Sequence, residues 1–166
     1  MHMFKVLDSN NYVNEKEKCL LLVEKMFEND NNKLANITDF KKHLDFIFSS
    51  AYGNKTFLVL FILEEKLVSM VNFYEYNSLE HDWCIFTLFT EKNNRNKGFG
   101  EQTLLYGLKE LKKYDYNNLI SGIEKDNIAS IKLHEKNGFI YANCNWNEFA
   151  EGFPENHLCY IYNEED

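Results

Sequence analysis

The sequence predicts a mixed α/β fold, with helices packed on a sheet. Two observations carry this. Apolar residues recur at three- and four-residue spacing in separate segments, while a stretch in the middle of the chain switches to continuous apolar runs of strand length. The second half then alternates strand-like and helix-like segments, giving the order β-α-α-β-β-β-α-β-α-β-β.

The elements follow in order. Phe4 to Leu7 is a short strand. Val13 to Phe27 is a helix with Cys19, Val23, Met26 and Phe27 on one face. Asp39 to Ser50 is a second helix, with Phe40, Leu44, Ile47 and Phe48 as its stripe and Thr38 as its N-cap. Thr56 to Leu63 is unbroken apolar sequence, as expected of a central strand covered on both faces. Glu64-Glu65-Lys66 makes a turn into Leu67 to Tyr76, and Trp83 to Thr90 completes a three-stranded antiparallel meander. A helix from Gly98 to Tyr114 buries Leu104, Leu108 and Leu111. Leu119 to Ile123 is a strand, Asn127 to Asn137 a helix stopped by Gly138, and Phe139 to Ala142 and Leu158 to Tyr162 are the last strands. The Asn pairs at 10–11, 31–32, 93–94 and 117–118 fall between these segments and read as turns.

The 166 residues suit a single domain spanning 1–166, and fourteen Phe, ten Tyr and two Trp supply a large core. A net charge of −8 argues against a nucleic-acid partner, which would call for a basic face. The longest apolar run, Phe57 to Leu63, is too short to cross a bilayer, and no leader segment is visible. Cys19, Cys84, Cys144 and Cys159 are too far apart for a metal clip, so no metal is expected; a reducing, cytoplasmic setting is.

Chemistry concentrates where the third meander strand meets the next helix, from Leu88, Phe89 and Thr90 through Arg95-Asn96-Lys97-Gly98-Phe99-Gly100-Glu101. Glycines let main-chain N–H groups approach a ligand, and a helix N-terminus adds free donors and partial positive charge, which together favour phosphate. Arg95 is the only arginine, against seventeen lysines, and a guanidinium grips phosphate through a two-pronged fork. Neither the P-loop nor the dinucleotide pattern fits, because no Lys-Ser/Thr follows Gly100 and Thr103 stands where a third small residue is needed.

Arg95-Asn96-Lys97-Gly98-Phe99-Gly100 resembles the R/Q-x-x-G-x-G/A loop of the GNAT acetyltransferases. Asn127-Ile128-Ala129-Ser130-Ile131-Lys132-Leu133-His134-Glu135-Lys136-Asn137-Gly138-Phe139 is similar to that family's N-x-x-S-x-x-L-Y-x-K-x-G-F block. The resemblance spans residues 56 to 142. It implies a GNAT-like fold, a mostly antiparallel twisted sheet of about six to seven strands with about four helices on both faces. It implies acetyl-CoA as cosubstrate. The diphosphate would lie on main-chain N–H groups from Asn96 to Glu101, and the pantetheine arm would pair with the strand edge at Leu88, Phe89 and Thr90. An N–H near Phe89 or Thr90 would polarise the thioester carbonyl, and Asn127 would reach the arm or the sulfur region. Dimers are common in the family, so a homodimer is the expectation it brings.

Two positions depart from the family pattern. His134 replaces the tyrosine that protonates the leaving thiolate, and Ser69 stands where glycine is frequent. Two roles are open to His134: proton donor to the thiolate, or packing residue. Glu75, His81 and Asp82 are candidate bases, though a water chain serves as well. Tyr74, Tyr76, Trp83, Trp146, Tyr160 and Tyr162 either line an acceptor pocket or fill the core. The expected activity is acetylation of a primary amine on a small molecule. The alternatives are a protein N-terminus or lysine as acceptor, or a module that binds acyl-CoA without turnover.

Overall fold

A computed structural model describes residues 2–28, 41–42, 44–46, 48–49, 55–142 and 156–164. Seven strands form one sheet: β1 (His2–Asp8), β2 (Thr56–Leu63), β3 (Lys66–Asn77), β4 (Asp82–Thr90), β5 (Asn118–Glu124), β6 (Phe139–Tyr141) and β7 (His157–Tyr162). Three helices are bounded: α1 (Tyr12–Glu28), α2 (Phe99–Leu111) and α3 (Ile128–Lys136). Residues 41–42 and 44–46 are also helical, within the helix expected at 39–50; Thr38, Phe40 and Ile47 lie outside the described residues. The side chains of Met26 and Phe27, and all of Cys144 and Trp146, lie outside them too.

The strand order is β1-β2-β3-β4-β5-β7-β6. Every neighbouring pair is antiparallel except β4 and β5. The meander from β2 to β4 follows from its short connections. The parallel step follows from α2, which carries the chain back across the sheet before β5 begins.

Side chains alternate across the sheet and build two cores. Leu58, Leu60 and Met70 face α1, with Tyr12, Cys19, Val23, Leu44 and Phe48. Phe57, Val59, Val71, Phe73, Trp83 and Ile85 face α2 through Leu104, Leu108 and Leu111. This two-sided cover explains why β2 has no polar alternation: Thr56 to Ile62 are all buried. Phe57 stacks on Phe73 with ring centroids 4.8 Å apart, and Tyr114 stacks on Phe57 at 5.2 Å. Trp83 and Tyr160 belong to this α2-side core, whereas Tyr74 and Tyr76 border Cys84, Ile120 and Cys159 on the other face. Cys19, Cys84 and Cys159 are buried thiols outside any disulfide among the described residues, and burial pushes those of Cys19 and Cys84 up to about 12.

The Asn-rich turns work through their side chains. Asn11 Oδ1 accepts from the Asp8 N–H and Asn11 Nδ2 donates to the Val6 carbonyl, and Asn117 Nδ2 donates to the Glu80 carbonyl. The β2–β3 turn is tighter than its composition favours. Glu64 and Glu65 both adopt positive φ, 50° and 65°, where a two-residue hairpin turn ordinarily takes Asn-Gly. Replacing the pair by Asn-Gly is expected to stabilise the protein by about 1 kcal/mol net, the relief of left-handed strain exceeding glycine's extra chain entropy. Thermal denaturation should show this as a rise of about 2–4 °C. An unchanged midpoint would mean that the turn carries no strain.

Candidate active site: a forked sheet edge running into a helix N-terminus

β4 pairs with β3 along nearly its whole length but with β5 only from Asp82 to Ile85, opposite Asn118 to Ser121. Beyond Ile85 the two strands separate, and β5 continues with β7 alone as its partner. The parting coincides with a bulge. Asn72 stands opposite Thr87 and Phe73 opposite Ile85, so Phe86 is an extra residue on β4, and it is exposed. The sheet therefore forks, and from Phe86 to Thr90 β4 has an edge free of any described strand.

Alternation fixes which groups lie on that edge. The Glu91 N–H donates to the Val68 carbonyl, so Phe89 likewise turns its backbone polar groups toward β3. Leu88 and Thr90 then present N–H and C=O to the open side, where Arg95 Nε donates to the Thr90 carbonyl at 3.0 Å. Of the three strand residues singled out above, Leu88 turns both main-chain groups and Thr90 its N–H to the open side, the Thr90 carbonyl being taken by Arg95, and Phe89 contributes its side chain on the α1 face.

After Glu91 the chain makes a single 3₁₀ turn, Lys92–Asn94. Buried Glu91 organises it by accepting from Asn93 Nδ2 and Asn94 Nδ2. Asn96 and Gly98 follow in the left-handed region, with φ of 61° and 80°. Gly98 is the N-cap of α2 and provides no capping side chain. The first rung of the helix runs from the Gln102 N–H to the Gly98 carbonyl, so the N–H groups of Phe99, Gly100 and Glu101 have no acceptor within the helix. They sit at the positive end of its dipole.

Gly100 is where helix and strand press together. A Cβ there would stand 2.9 Å from Thr90 Oγ1. That hydroxyl is itself held, 3.1 Å from Ser69 Oγ, which also donates to the Phe89 carbonyl at 3.0 Å. Ser69 therefore stitches β3 to β4 beneath the free edge. The Arg95 guanidinium is exposed and lies 5.5 Å over the Phe89 ring. Glu101 puts a carboxylate into the first turn of α2, but Lys136 of α3 meets it at 2.7 Å. That bond holds the carboxyl below its usual range. The pair ties α3 to the helix end while covering the negative charge.

α3 starts at Asn127, whose Oδ1 caps the helix by accepting from the Ser130 N–H, leaving Nδ2 as the donor for anything outside. One helical turn after Ser130 comes His134, 1 % exposed. Its Nδ1 lies 2.8 Å from the Ser130 carbonyl and its Nε2 lies 3.1 Å from Ser121 Oγ on β5. A carbonyl only accepts, so Nδ1 carries a proton. Burial pushes the imidazole below its ordinary value, against the opposing pull of the Ser130 carbonyl. The ring therefore rests neutral at pH 7, with Nε2 accepting from the Ser121 hydroxyl. As a direct acid through Nε2 it would first have to take up a proton.

The candidate bases lie elsewhere. Glu75 is buried opposite Trp83, on the same face as Val71 and Phe73 and toward the far end of β4 from the loop. Its Oε2 accepts from the Lys55 N–H, and its Oε1 lies 3.7 Å from Lys55 Nζ and 3.5 Å from His81 Nδ1. Asp82 Oδ1 accepts from Asn118 Nδ2. No group of three or more potential metal ligands occurs among the described residues, and no described helix is long and apolar enough to cross a membrane.

The site thus joins Leu88, Thr90, Arg95, Asn96, Lys97, Gly98, Phe99, Gly100 and Glu101 in one strip, with Asn127 and His134 on the helix that Lys136 ties to it. Sequence reasoning missed Ser121. The signal was a polar residue inside the otherwise apolar run Leu119–Ile123.

A sequence model described as the Acetyltransferase (GNAT) family matches residues 21–139. A search of curated proteins finds no match. Among solved structures, a GNAT-family protein from Desulfovibrio desulfuricans superposes with a TM-score of 0.72 at 12 % identity, covering 97 % of this chain and 98 % of that one. PaiA N-acetyltransferase from Thermoplasma acidophilum, in complex with coenzyme A, gives 0.64 at 11 % identity with 99 % of both chains covered. The ribosomal-protein-S18-alanine N-acetyltransferase from Escherichia coli gives 0.63 at 16 % identity, covering 97 % and 91 %. At these identities the superpositions establish a shared fold.

Proposed function

The chain belongs to the acetyltransferase (GNAT) family, and from that premise we propose that it acetylates a primary amine on a small molecule, using acetyl-CoA at the fork. One observation carries the reading: the free edge of β4 runs directly into an uncapped helix N-terminus, with Gly100 pressed against Thr90.

The residues present fit coenzyme A. A diphosphate needs several main-chain donors converging at a positive helix end without a Cβ in the way, and Asn96 to Glu101 supply them. Glu101 is compatible with that anion because Lys136 covers its charge. Arg95 Nε is engaged with the Thr90 carbonyl, which aims its terminal amines from the start of the loop. The pantetheine arm carries two amides, and the N–H and C=O of Leu88 together with the N–H of Thr90 face them as an added strand would require. From phosphate oxygen to sulfur the arm has about a dozen covalent bonds, against three per residue, so it is about as long as four extended residues. Counted back from Thr90, four residues lead to Phe86, the bulge at the apex of the fork. Bound there, acetyl-CoA supplies an activated acetyl group. The protein's part is to hold the thioester at the apex, donate an N–H to its carbonyl oxygen and manage the protons.

The acceptor side is less constrained. A net charge of −8 favours a cationic amine, polyamines and aminoglycosides included. A protein N-terminus is the second reading, and the structural likeness to the ribosomal-protein enzyme favours keeping it in the test.

The test has two arms. Acetyl-CoA at about a hundred times its dissociation constant should stabilise the folded protein by about 2.7 kcal/mol, read as a rise in melting temperature that ATP does not reproduce. Thiol release from acetyl-CoA, followed across a panel of amines and peptides, should respond to one class of small amines. No stabilisation by CoA or acetyl-CoA would overturn the reading of the fork. Stabilisation without thiol release for any acceptor would leave a binding module, and release with peptides alone would move the acceptor to protein.

A further inference from the structure

We propose that Ser121 and His134 form a proton relay at the apex of the fork, in which Ser121 Oγ meets the reacting atoms and His134 acts through it. The inference rests on the acetyl-transfer reading above and adds to it the groups that move the proton.

Position comes first. Ser121 stands opposite Ile85 on the last rung that joins β5 to β4. One residue further along β4 is the exposed bulge at Phe86, where the free edge begins. Ser121 is thus the last β5 side chain on the α3 face before the strands part. Its same-face strand neighbours, Leu119 and Ile123, are apolar and buried, and Ser121 itself is 3 % exposed. Nothing in the packing of an apolar strand requires a serine there, and an alanine would fill nearly the same space.

Chemistry comes second. His134 is held from both sides, Nδ1 to the Ser130 carbonyl and Nε2 to Ser121 Oγ. Phe139 of β6 meets the ring edge-on at 4.8 Å. The groups facing the ring are Ser121 of β5, Ser130 of its own helix and Phe139 of β6, and none of them is charged. Tyr160 of β7 spends its hydroxyl on Glu135 instead. Burial without a counter-charge keeps the ring neutral, so Nε2 is a base waiting behind a hydroxyl. This arrangement suits acceptance followed by return, not donation from a resting imidazolium.

The proton balance closes. As the amine nitrogen bonds to the acetyl carbon, the carbonyl π pair moves onto oxygen and the nitrogen becomes positively charged. A proton passes from that nitrogen to Ser121 Oγ while the serine's own proton passes to His134 Nε2. When the C–S bond breaks, its electron pair leaves on sulfur. The imidazolium then returns its proton through Ser121 to the thiolate. The amine has lost one proton, the sulfur has gained one, and Ser121 and His134 end as they began. One neutral histidine thereby serves the two opposed demands, an unprotonated attacking amine and a protonated leaving thiol.

The experiment uses the full chain with the panel amine that releases thiol fastest. Ser121→Ala is expected to lower kcat by about a hundredfold while the melting shift produced by free CoA stays the same. Ser121→Thr keeps the hydroxyl and should recover most of the rate. In the parent, kcat should fall on the acid side as Nε2 takes up a proton, at a pH below the ordinary imidazole range. His134→Gln should be slow and lack that limb. A second readout needs no turnover. In ¹⁵N-histidine NMR at neutral pH, His134 should show a protonated Nδ1 and an unprotonated Nε2, and free CoA should move the Nε2 resonance in the parent more than in Ser121→Ala. A normal CoA melting shift with an unchanged kcat in Ser121→Ala would overturn the relay and spare the acetyl-transfer reading. A resting ring protonated on Nε2 would also overturn it. No CoA melting shift in the parent would overturn both.

Discussion

Gly100→Asp is expected to weaken coenzyme A binding by about a hundredfold or more while leaving the protein folded. The two halves of this expectation have separate causes. The new carboxylate would sit among the N–H groups of Phe99, Gly100 and Glu101, where the diphosphate is proposed to lie. Two like charges about 4 Å apart at an effective dielectric of about 20 repel by about 4 kcal/mol, which is more than a hundredfold in affinity even after salt screening. The same aspartate is welcome to the helix itself, since a negative charge in the first turn favours α2 by about 0.3–1 kcal/mol. The added Cβ is the smaller effect. It would approach Thr90 Oγ1 to 2.9 Å, and Thr90 cannot turn freely while it is bonded to Ser69. Gly100→Ala isolates that contribution and should cost binding much less than the aspartate. Isothermal titration with free CoA measures both variants. A Gly100→Asp protein that melts normally and binds CoA within threefold of the parent would show that the diphosphate lies elsewhere.

The difference between what the sequence revealed and what it hid has a physical basis. The strands expected at 56–63, 67–76 and 83–90 were legible to within a residue at each end, the first because a continuous apolar run of that length has few other uses and the next two because short turns separate strand-like runs. The helix after Gly98 was legible because its stripe of Leu104, Leu108 and Leu111 is regular, although it stops at Leu111 and not at Tyr114. Tyr114 packs on Phe57 and Trp83 from the turn that follows, so an aromatic residue in register extended the expected helix without belonging to it. The loop into α2 was legible as a turn because Gly98 meets a backbone need, a left-handed N-cap, that few other residues meet. The fork was not legible. Whether β4 pairs with β5 for four residues or nine depends on the bulge at Phe86, and no local preference encodes a bulge. His134 was visible as a replacement for tyrosine, but its protonation state depended on a carbonyl and a hydroxyl brought to it by two other segments. Ser121 passed as an ordinary strand residue for the same reason.

Gly107 shows the same dependence on tertiary contact, and it yields the second large effect. Read as sequence, a glycine inside a helix is a weak point, and Gly107→Ala should stabilise α2 by about 0.5–1 kcal/mol. The packing reverses the sign. A Cβ at position 107 would overlap Phe73 Cε2 and stand 2.9 Å from Phe73 Cζ and 3.1 Å from Val71 Cγ1. Phe73 is fully buried and stacked on Phe57, so its ring has nowhere to go, and either the helix or the sheet must move. Overpacking of this kind costs about 1–3 kcal/mol, which exceeds the propensity gain. Gly107→Ala is therefore expected to be net destabilising by about 1–2 kcal/mol, measured as a lower midpoint in urea with unchanged slope. Combining it with Phe73→Leu should recover part of the loss, because the shorter side chain vacates the clash; two independent sites would instead add their penalties. The consequence reaches the active site, because α2 carries Gly100 at its other end. A helix lifted off β3 near Gly107 tilts its N-terminus relative to Thr90, so the same alanine should also weaken CoA binding though it lies two turns from the loop. A Gly107→Ala protein more stable than the parent would show that Phe73 yields, and that the close approach of helix to sheet is not what fixes the loop against the strand.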